Sequence, residues 1–131
     1  MDISLCALNT KSDSMQWAGA NNPLWIISKG EFKEIRADKQ PVGKYPESKP
    51  FTNHSVSLQK GDRIYIFTDG FADQFGGAEG KKFKIAAMRS LLMSIQHENL
   101  SVQHSLISKA FEVWKGSLQQ VDDVCLIGVQ Y

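Results

Sequence analysis

The sequence predicts an α+β fold built on largely antiparallel strands. Three observations carry that prediction. Short alternating runs punctuated by turn residues fill the first half, two stretches of helical periodicity fill the second, and one apolar run closes the chain. At 131 residues the chain fits a single domain.

Ile3 to Leu8 alternates and is apolar enough for a strand. Lys11-Ser12-Asp13-Ser14 supplies a turn and Met15 to Ala18 returns, which makes a hairpin. Gly19-Ala20-Asn21-Asn22-Pro23 is a loop with strong turn chemistry. Leu24 to Ser28 and Glu31 to Ile35 flank the tight turn Lys29-Gly30 and form a second hairpin. Residues 36–55 are polar and carry Pro41, Pro46 and Pro50, so they read as a long connection. Ser55 to Leu58 is a further strand. Lys60-Gly61-Asp62 then turns the chain into Arg63 to Thr68, a run of alternating and β-branched residues.

The second half changes period. Ile85, Met88, Leu91, Leu92 and Ile95 recur at helical spacing across Lys84 to Ile95. A second helix starts near Leu100-Ser101, with Ser101 as the expected N-cap and Gly116 suited to the stop. Val102, Leu106, Ala110, Val113 and Trp114 form its expected apolar stripe, which reads as packing against a sheet rather than as a cofactor box. Val124 to Val129 is the closing strand.

Composition narrows the function classes. Apolar residues make up 42% and charged residues 22%, which suits a soluble globular protein. A net charge of +1 gives no reason to expect nucleic acid or an anionic membrane as partner. Lys81, Lys82 and Lys84 are the one tight basic group, read as a solvated helix start. No apolar run approaches the ~20 residues that span a bilayer, and Met1-Asp2-Ile3-Ser4 lacks a signal-peptide layout, so a cytoplasmic protein is expected. Cys6 and Cys125 lie in apolar runs and read as buried thiols; a disulfide stays open if their strands are neighbours.

The chemistry concentrates at two acidic strand edges. Thr68-Asp69-Gly70 follows one apolar strand, and Val121-Asp122-Asp123-Val124 opens another. A sheet fixes such side chains while the flanking loop leaves them open to water. Mg²⁺ and Mn²⁺ take oxygen ligands and keep several waters, so one or two carboxylates per ion suffice. Asp69 and Asp122 would meet if the strands are adjacent, and two such carboxylates repel unless a cation lies between them. The plainer reading is a turn at Asp69-Gly70 and a solvated strand entry at Asp122-Asp123.

The surrounding residues favour the first reading. Gly61-Asp62, the apolar strand, Thr68-Asp69-Gly70 and the acidic Asp73 together resemble the signature of the stage II sporulation protein E-like (SpoIIE-like) phosphatases. These are metal-dependent protein serine/threonine phosphatases of the PPM type, relatives of protein phosphatase 2C. Ala18-Gly19-Ala20-Asn21-Asn22-Pro23-Leu24 is similar to the family's Ala-Gly-X-Asn/His-X-Pro segment. Gln40-Pro41-Val42-Gly43 is similar to its Pro-hydrophobic-Gly loop, and Asp122-Asp123-Val124-Cys125-Leu126-Ile127 to its closing Asp-Asp strand. The four motifs keep the family's order along nearly the whole chain.

The resemblance implies a β-sandwich of largely antiparallel sheets with helices packed outside. It implies two Mn²⁺ or Mg²⁺ ions that bridge aspartates and activate a water, which attacks the phosphorus of a phosphoserine or phosphothreonine. Asp69 and Asp122 match its metal ligands. Gly70 permits close approach, Asp123 and Asp73 hold supporting positions, and the three histidines, His54, His97 and His104, match no motif. Asn21 and Asn22 shape a turn rather than touch substrate. The family's Asp-X-X-Gly-His-Gly motif has no counterpart here, and Asp2, Asp13 and Asp38 have the wrong neighbours to replace it. The chain is therefore expected to be one partial domain, 1–131, without the family's N-terminal strands, helices and first metal motif, and inactive alone. This fragment holds its metal weakly or not at all on that view. An exposed sheet edge would then invite self-association. The implied partners are a phosphorylated regulatory protein of the anti-sigma-factor-antagonist type and an upstream sensor or signalling domain. The alternative is a pseudophosphatase, a non-catalytic regulatory or interaction module.

Overall fold

A computed structural model describes residues 1–43 and 49–131; Pro46 falls outside the described residues. The chain forms two compact units, residues 1–67 with 127–131, and residues 68–126.

The first unit is the antiparallel sandwich. β1 (Ile3–Asn9) pairs antiparallel with β2 (Ser14–Ala20), from Ile3 opposite Ala20 to Asn9 opposite Ser14. β5 (His54–Ser57) pairs on the other side of β2, which gives a sheet of order β1-β2-β5. β3 (Leu24–Ser28) lies between β4 (Glu31–Ile35) and β6 (Arg63–Phe67), antiparallel to both. β9 (Leu126–Gln130) follows β6 in the sheet order β4-β3-β6-β9. The adjacency of β6 and β9 is the condition under which the two acidic edges meet.

Alternation builds the interior of this unit. Met15 and Trp17 of β2 and Val56 of β5 point to one side, and Leu24 and Ile26 of β3 and Ile64 of β6 point to meet them. Each such large apolar side chain contributes about 1.5–3 kcal/mol when fully buried. Trp25, on the other face of β3, packs its ring on Phe32 and Phe67 at 5.3 and 4.4 Å and donates its indole N–H to Glu34. β1 is an edge strand, and Ile3 and Leu5 on it are 41% and 64% exposed.

The second unit is helical. α1 (Gly70–Asp73) is a single turn, and β7 (Phe75–Gly76) and β8 (Lys81–Lys82) form a small hairpin. α2 (Ile85–Ser94) and α3 (Leu100–Lys115) follow. Phe71, Phe83, Phe111 and Trp114 make the aromatic interior, with ring centroids 5.0–5.3 Å apart. Met88 and Leu92 of α2 are buried, as their spacing predicts.

Several expectations need correction. Lys81 and Lys82 lie in β8 rather than at a helix start, because they pair with Gly76 and Phe75 of β7 and α2 begins only at Ile85. Asn99, not Ser101, caps α3: its side chain accepts the Val102 N–H at 2.9 Å. α3 buries Gln103 and Phe111, while Val102, Leu106 and Val113 are exposed, so the buried stripe is rotated from the expected one. The closing strand starts at Leu126, which leaves Asp122 to Cys125 in the preceding loop. Cys6 is half-buried and Cys125 exposed, and both are free thiols.

Candidate functional site

β6 stops at Phe67 because Thr68 turns to a different bonding pattern. The Thr68 N–H donates to the Cys125 carbonyl at 2.9 Å. Its hydroxyl donates to the Asp123 carbonyl at 2.8 Å and accepts the Cys125 N–H at 2.9 Å. One threonine thus closes the backbone of the 123–125 loop. Gly70 rests on the same stretch: a Cβ there would overlap the Asp123 carbonyl oxygen. Only glycine allows the two main chains so close. Thr68 and Gly70 flank Asp69 and both grip the segment next to Asp122.

The aspartates at this edge have different surroundings. Asp69 occupies the N-cap of α1 with helical backbone angles, φ −74° and ψ −15°, and its carboxylate makes no capping bond. It is exposed to water. Asp122 is also exposed, and its Oδ1 accepts the Asp123 N–H at 2.7 Å, which leaves the carboxylate further acceptor sites. Asp123 contributes its main chain to the lock with Thr68. Asp73 turns to Lys82 instead; both side chains are 47% exposed, so this pair contributes little to stability.

The donor set suits a hard cation. Asp69 and Asp122 offer carboxylate oxygens, and their exposure allows water to complete an octahedral shell. Among the described residues no group of three or more His, Cys, Asp or Glu side chains that could hold a metal ion gathers.

The other sequence candidates lie in the sandwich unit or play structural parts. Asn21 has φ +64°, donates its N–H to the Asp38 carbonyl at 2.9 Å and its side-chain amide to Asp2 at 2.8 Å. Asn22 donates back to the Ala20 carbonyl at 2.8 Å. Both residues therefore shape the turn. His54 lies on β5 with its ring 5.4 Å from that of Trp17.

Sequence reasoning missed Gln74, which is fully buried directly after α1. Its Nε2 donates to the Gln119 carbonyl at 3.0 Å, and its Oε1 accepts the Val121 N–H at 3.4 Å. A lone glutamine in a polar stretch carries no periodic signal, and its neighbours in space are distant in the chain.

A family model described as stage II sporulation protein E (SpoIIE) matches residues 1–131. The chain belongs to the SpoIIE family. No curated protein gives a significant match. Among solved structures, the SiaA-PP2C domain of Pseudomonas aeruginosa is 25% identical with a TM-score of 0.90, over 99% of this chain and 51% of that one. The phosphatase domain of the cell fate determinant SpoIIE from Bacillus subtilis is 15% identical with a TM-score of 0.73, over 98% of this chain and 57% of that one. The catalytic domain of the serine/threonine protein phosphatase PstP in complex with two manganese ions is 14% identical with a TM-score of 0.61, over 97% and 56%. The SpoIIE-family chain thus has the α+β fold of PP2C-type phosphatase domains and spans about half the length of these relatives.

Proposed function

We propose that this chain is the later part of a Mn²⁺- or Mg²⁺-dependent protein serine/threonine phosphatase domain. The observation that carries the reading is the backbone lock of Thr68 and Gly70 onto Asp123 and Cys125. It brings the two segments that bear Asp69 and Asp122 together with both carboxylates facing water. The manganese in the PstP relative supports the same choice of ion. In this reading Asp69 and Asp122 hold the cation. Gly70 keeps the segments close, Asp123 anchors the loop through its carbonyl, and Asp73 ties α1 to β8. A bound divalent ion would supply an activated water and offset the charge of the phosphoryl group.

The proposed substrate is a phosphoserine or phosphothreonine on a bacterial regulatory protein of the anti-sigma-factor-antagonist type, under an upstream sensor or signalling domain in the cytoplasm. No helix among the described residues is long and apolar enough to cross a membrane. The chain alone is proposed to have no appreciable activity, since the edge offers two carboxylates where the family's binuclear site needs more. We further propose self-association through β1, whose exposed Ile3 and Leu5 lie on a sheet edge. A strictly monomeric species in sedimentation at high concentration would count against that.

Two carboxylates without a third ligand also suit a second reading, a pseudophosphatase that keeps the fold as an interaction module. The parent gene separates them: an upstream Asp-X-X-Gly-His-Gly supports the enzyme, and its absence the module. The direct test is Mn²⁺-dependent phosphate release from a phosphoserine peptide by the parent protein, lost in Asp69→Asn. Robust hydrolysis by the 131-residue chain itself would overturn the proposed inactivity.

A further inference from the structure

The loop that carries Asp122 has no regular structure of its own. Gln119, Gln120 and Val121 are exposed, and β9 begins only at Leu126. Such a loop holds a carboxylate in place only if its backbone is anchored. Downstream the anchor is Thr68, which grips Asp123 and Cys125. Upstream it is Gln74.

Gln74 is 0% exposed, and its amide pairs with the loop as a neighbouring strand would, one donor to the Gln119 carbonyl and one acceptor for the Val121 N–H. The second Nε2 proton goes to the Phe75 carbonyl at 2.9 Å. The Gln74 carbonyl accepts the Trp114 indole N–H and the Phe83 N–H, each at 3.0 Å. The Gln74 backbone, from which the side chain projects, is therefore fixed by α3 and by the residue after β8. A buried amide this fully bonded is rigid, because breaking any one bond strands a polar group away from water.

Thr68 and Gln74 bracket Asp69 and α1 on one segment, and they grip the far segment on either side of Asp122. We propose that Gln74 is a positioning residue for the metal edge, setting where the Asp122 carboxylate stands relative to Asp69. This rests on the assignment of Asp69 and Asp122 as metal ligands. Gln74 itself touches neither cation nor substrate.

The test uses the full chain with Mn²⁺ alone as probe, read by the electron paramagnetic resonance signal of the free ion and by amide hydrogen exchange. Gln74→Met keeps length and volume and removes the amide. It is expected to weaken Mn²⁺ binding at least tenfold and to speed exchange across residues 120–123. Gln103→Met is the control, another buried amide of the same unit, which donates to the Glu98 carbonyl. It is expected to lower stability and leave Mn²⁺ affinity unchanged. If Gln74→Met does not fold, Val121→Pro removes the N–H that Gln74 accepts from the exposed side, and the same loss of affinity is expected. Wild-type affinity in the folded Gln74 or Val121 variant, or an equal loss in the Gln103 variant, overturns the positioning role. A wild-type chain that binds no Mn²⁺ overturns the assignment of Asp69 and Asp122 as a cation site within this chain, and the proposal with it.

Discussion

The sandwich unit and the helical unit are held by different physics. In the first, Met15, Trp17, Leu24, Ile26, Val56 and Ile64 fill the interior, and regular ladders satisfy the backbone between them. In the second, short pieces of structure are joined by loops, and buried side-chain amides complete the backbone bonding. Gln74 reaches Gln119 and Val121, and Gln103 reaches Glu98. Among its described residues the sandwich has a comparable device: the buried Gln40 donates to the Lys49 carbonyl at 2.7 Å and accepts its N–H at 3.0 Å. A unit built on apolar burial tolerates loss of a polar bond better than one whose loops depend on such bonds. The candidate site lies in the second unit, where the Thr68 and Gln74 bonds hold the loop that carries Asp122.

The largest expected effect breaks the sandwich. Trp17 is buried, and its indole N–H donates to Ser4 at 2.7 Å. Trp17→Ala should cost about 3–5 kcal/mol, read as a lower urea midpoint with cooperative unfolding of the first unit. A shift below about 1 kcal/mol would mean that the sandwich is not held by this core.

Next come two glycines of the helical unit. A Cβ at Gly76 would overlap the Trp114 carbonyl oxygen, and one at Gly70 would overlap that of Asp123. Each alanine variant should cost about 1–3 kcal/mol. Only Gly70→Ala should also weaken Mn²⁺ binding, because only it pushes on the loop beside Asp122. Equal Mn²⁺ affinities for the two variants would contradict the site as drawn.

The amide clamps sharpen the comparison further. Gln74→Met and Gln40→Met should each lose about 1–3 kcal/mol by leaving backbone groups unpaired. Amide exchange should then rise locally, across residues 120–123 in one variant and at Lys49 in the other. The Asp73–Lys82 pair is half-exposed, so Lys82→Ala should change stability by less than about 1 kcal/mol in denaturant unfolding.

The smallest contrast is chemical. Burial pushes the Cys6 thiol pKa up, so the folded state favours the neutral thiol. That contribution is present below the ordinary thiol pKa and is lost as pH rises through the raised value in the folded state. Cys125 is exposed. Near pH 8 a thiol reagent should modify Cys125 first and Cys6 more slowly, followed by mass spectrometry.

The sandwich was legible because period-two alternation is a local signal. β3 and β4 fall where the hydrophobic runs and the Lys29-Gly30 turn place them, and β1, β2 and β5 differ by a residue or two at their ends. In the helical half the two long helices were visible and their details were not. Ser101 looked like a cap, yet Asn99 reaches the Val102 N–H first. The stripe through Val102, Leu106 and Val113 is apolar, yet α3 buries Gln103 and Phe111 because the aromatic interior with Phe71 lies on that side. α1 and the β7–β8 hairpin gave no periodic sign, being too short for one. At the site, Asp69 and Asp122 stood out by residue type and neighbours. The parts that hold them, the Thr68 hydroxyl and the Gln74 amide, act across the fold and leave no trace in local pattern.

The central claim is that Asp69 and Asp122 share a divalent cation at one edge. Calorimetric titration of the chain with Mn²⁺, beside Asp69→Asn and Asp122→Asn, tests it most directly. Weak saturable binding by the wild type, lost in either variant with the fold retained by circular dichroism, is the predicted result. Mn²⁺ binding that survives both substitutions unchanged would contradict it.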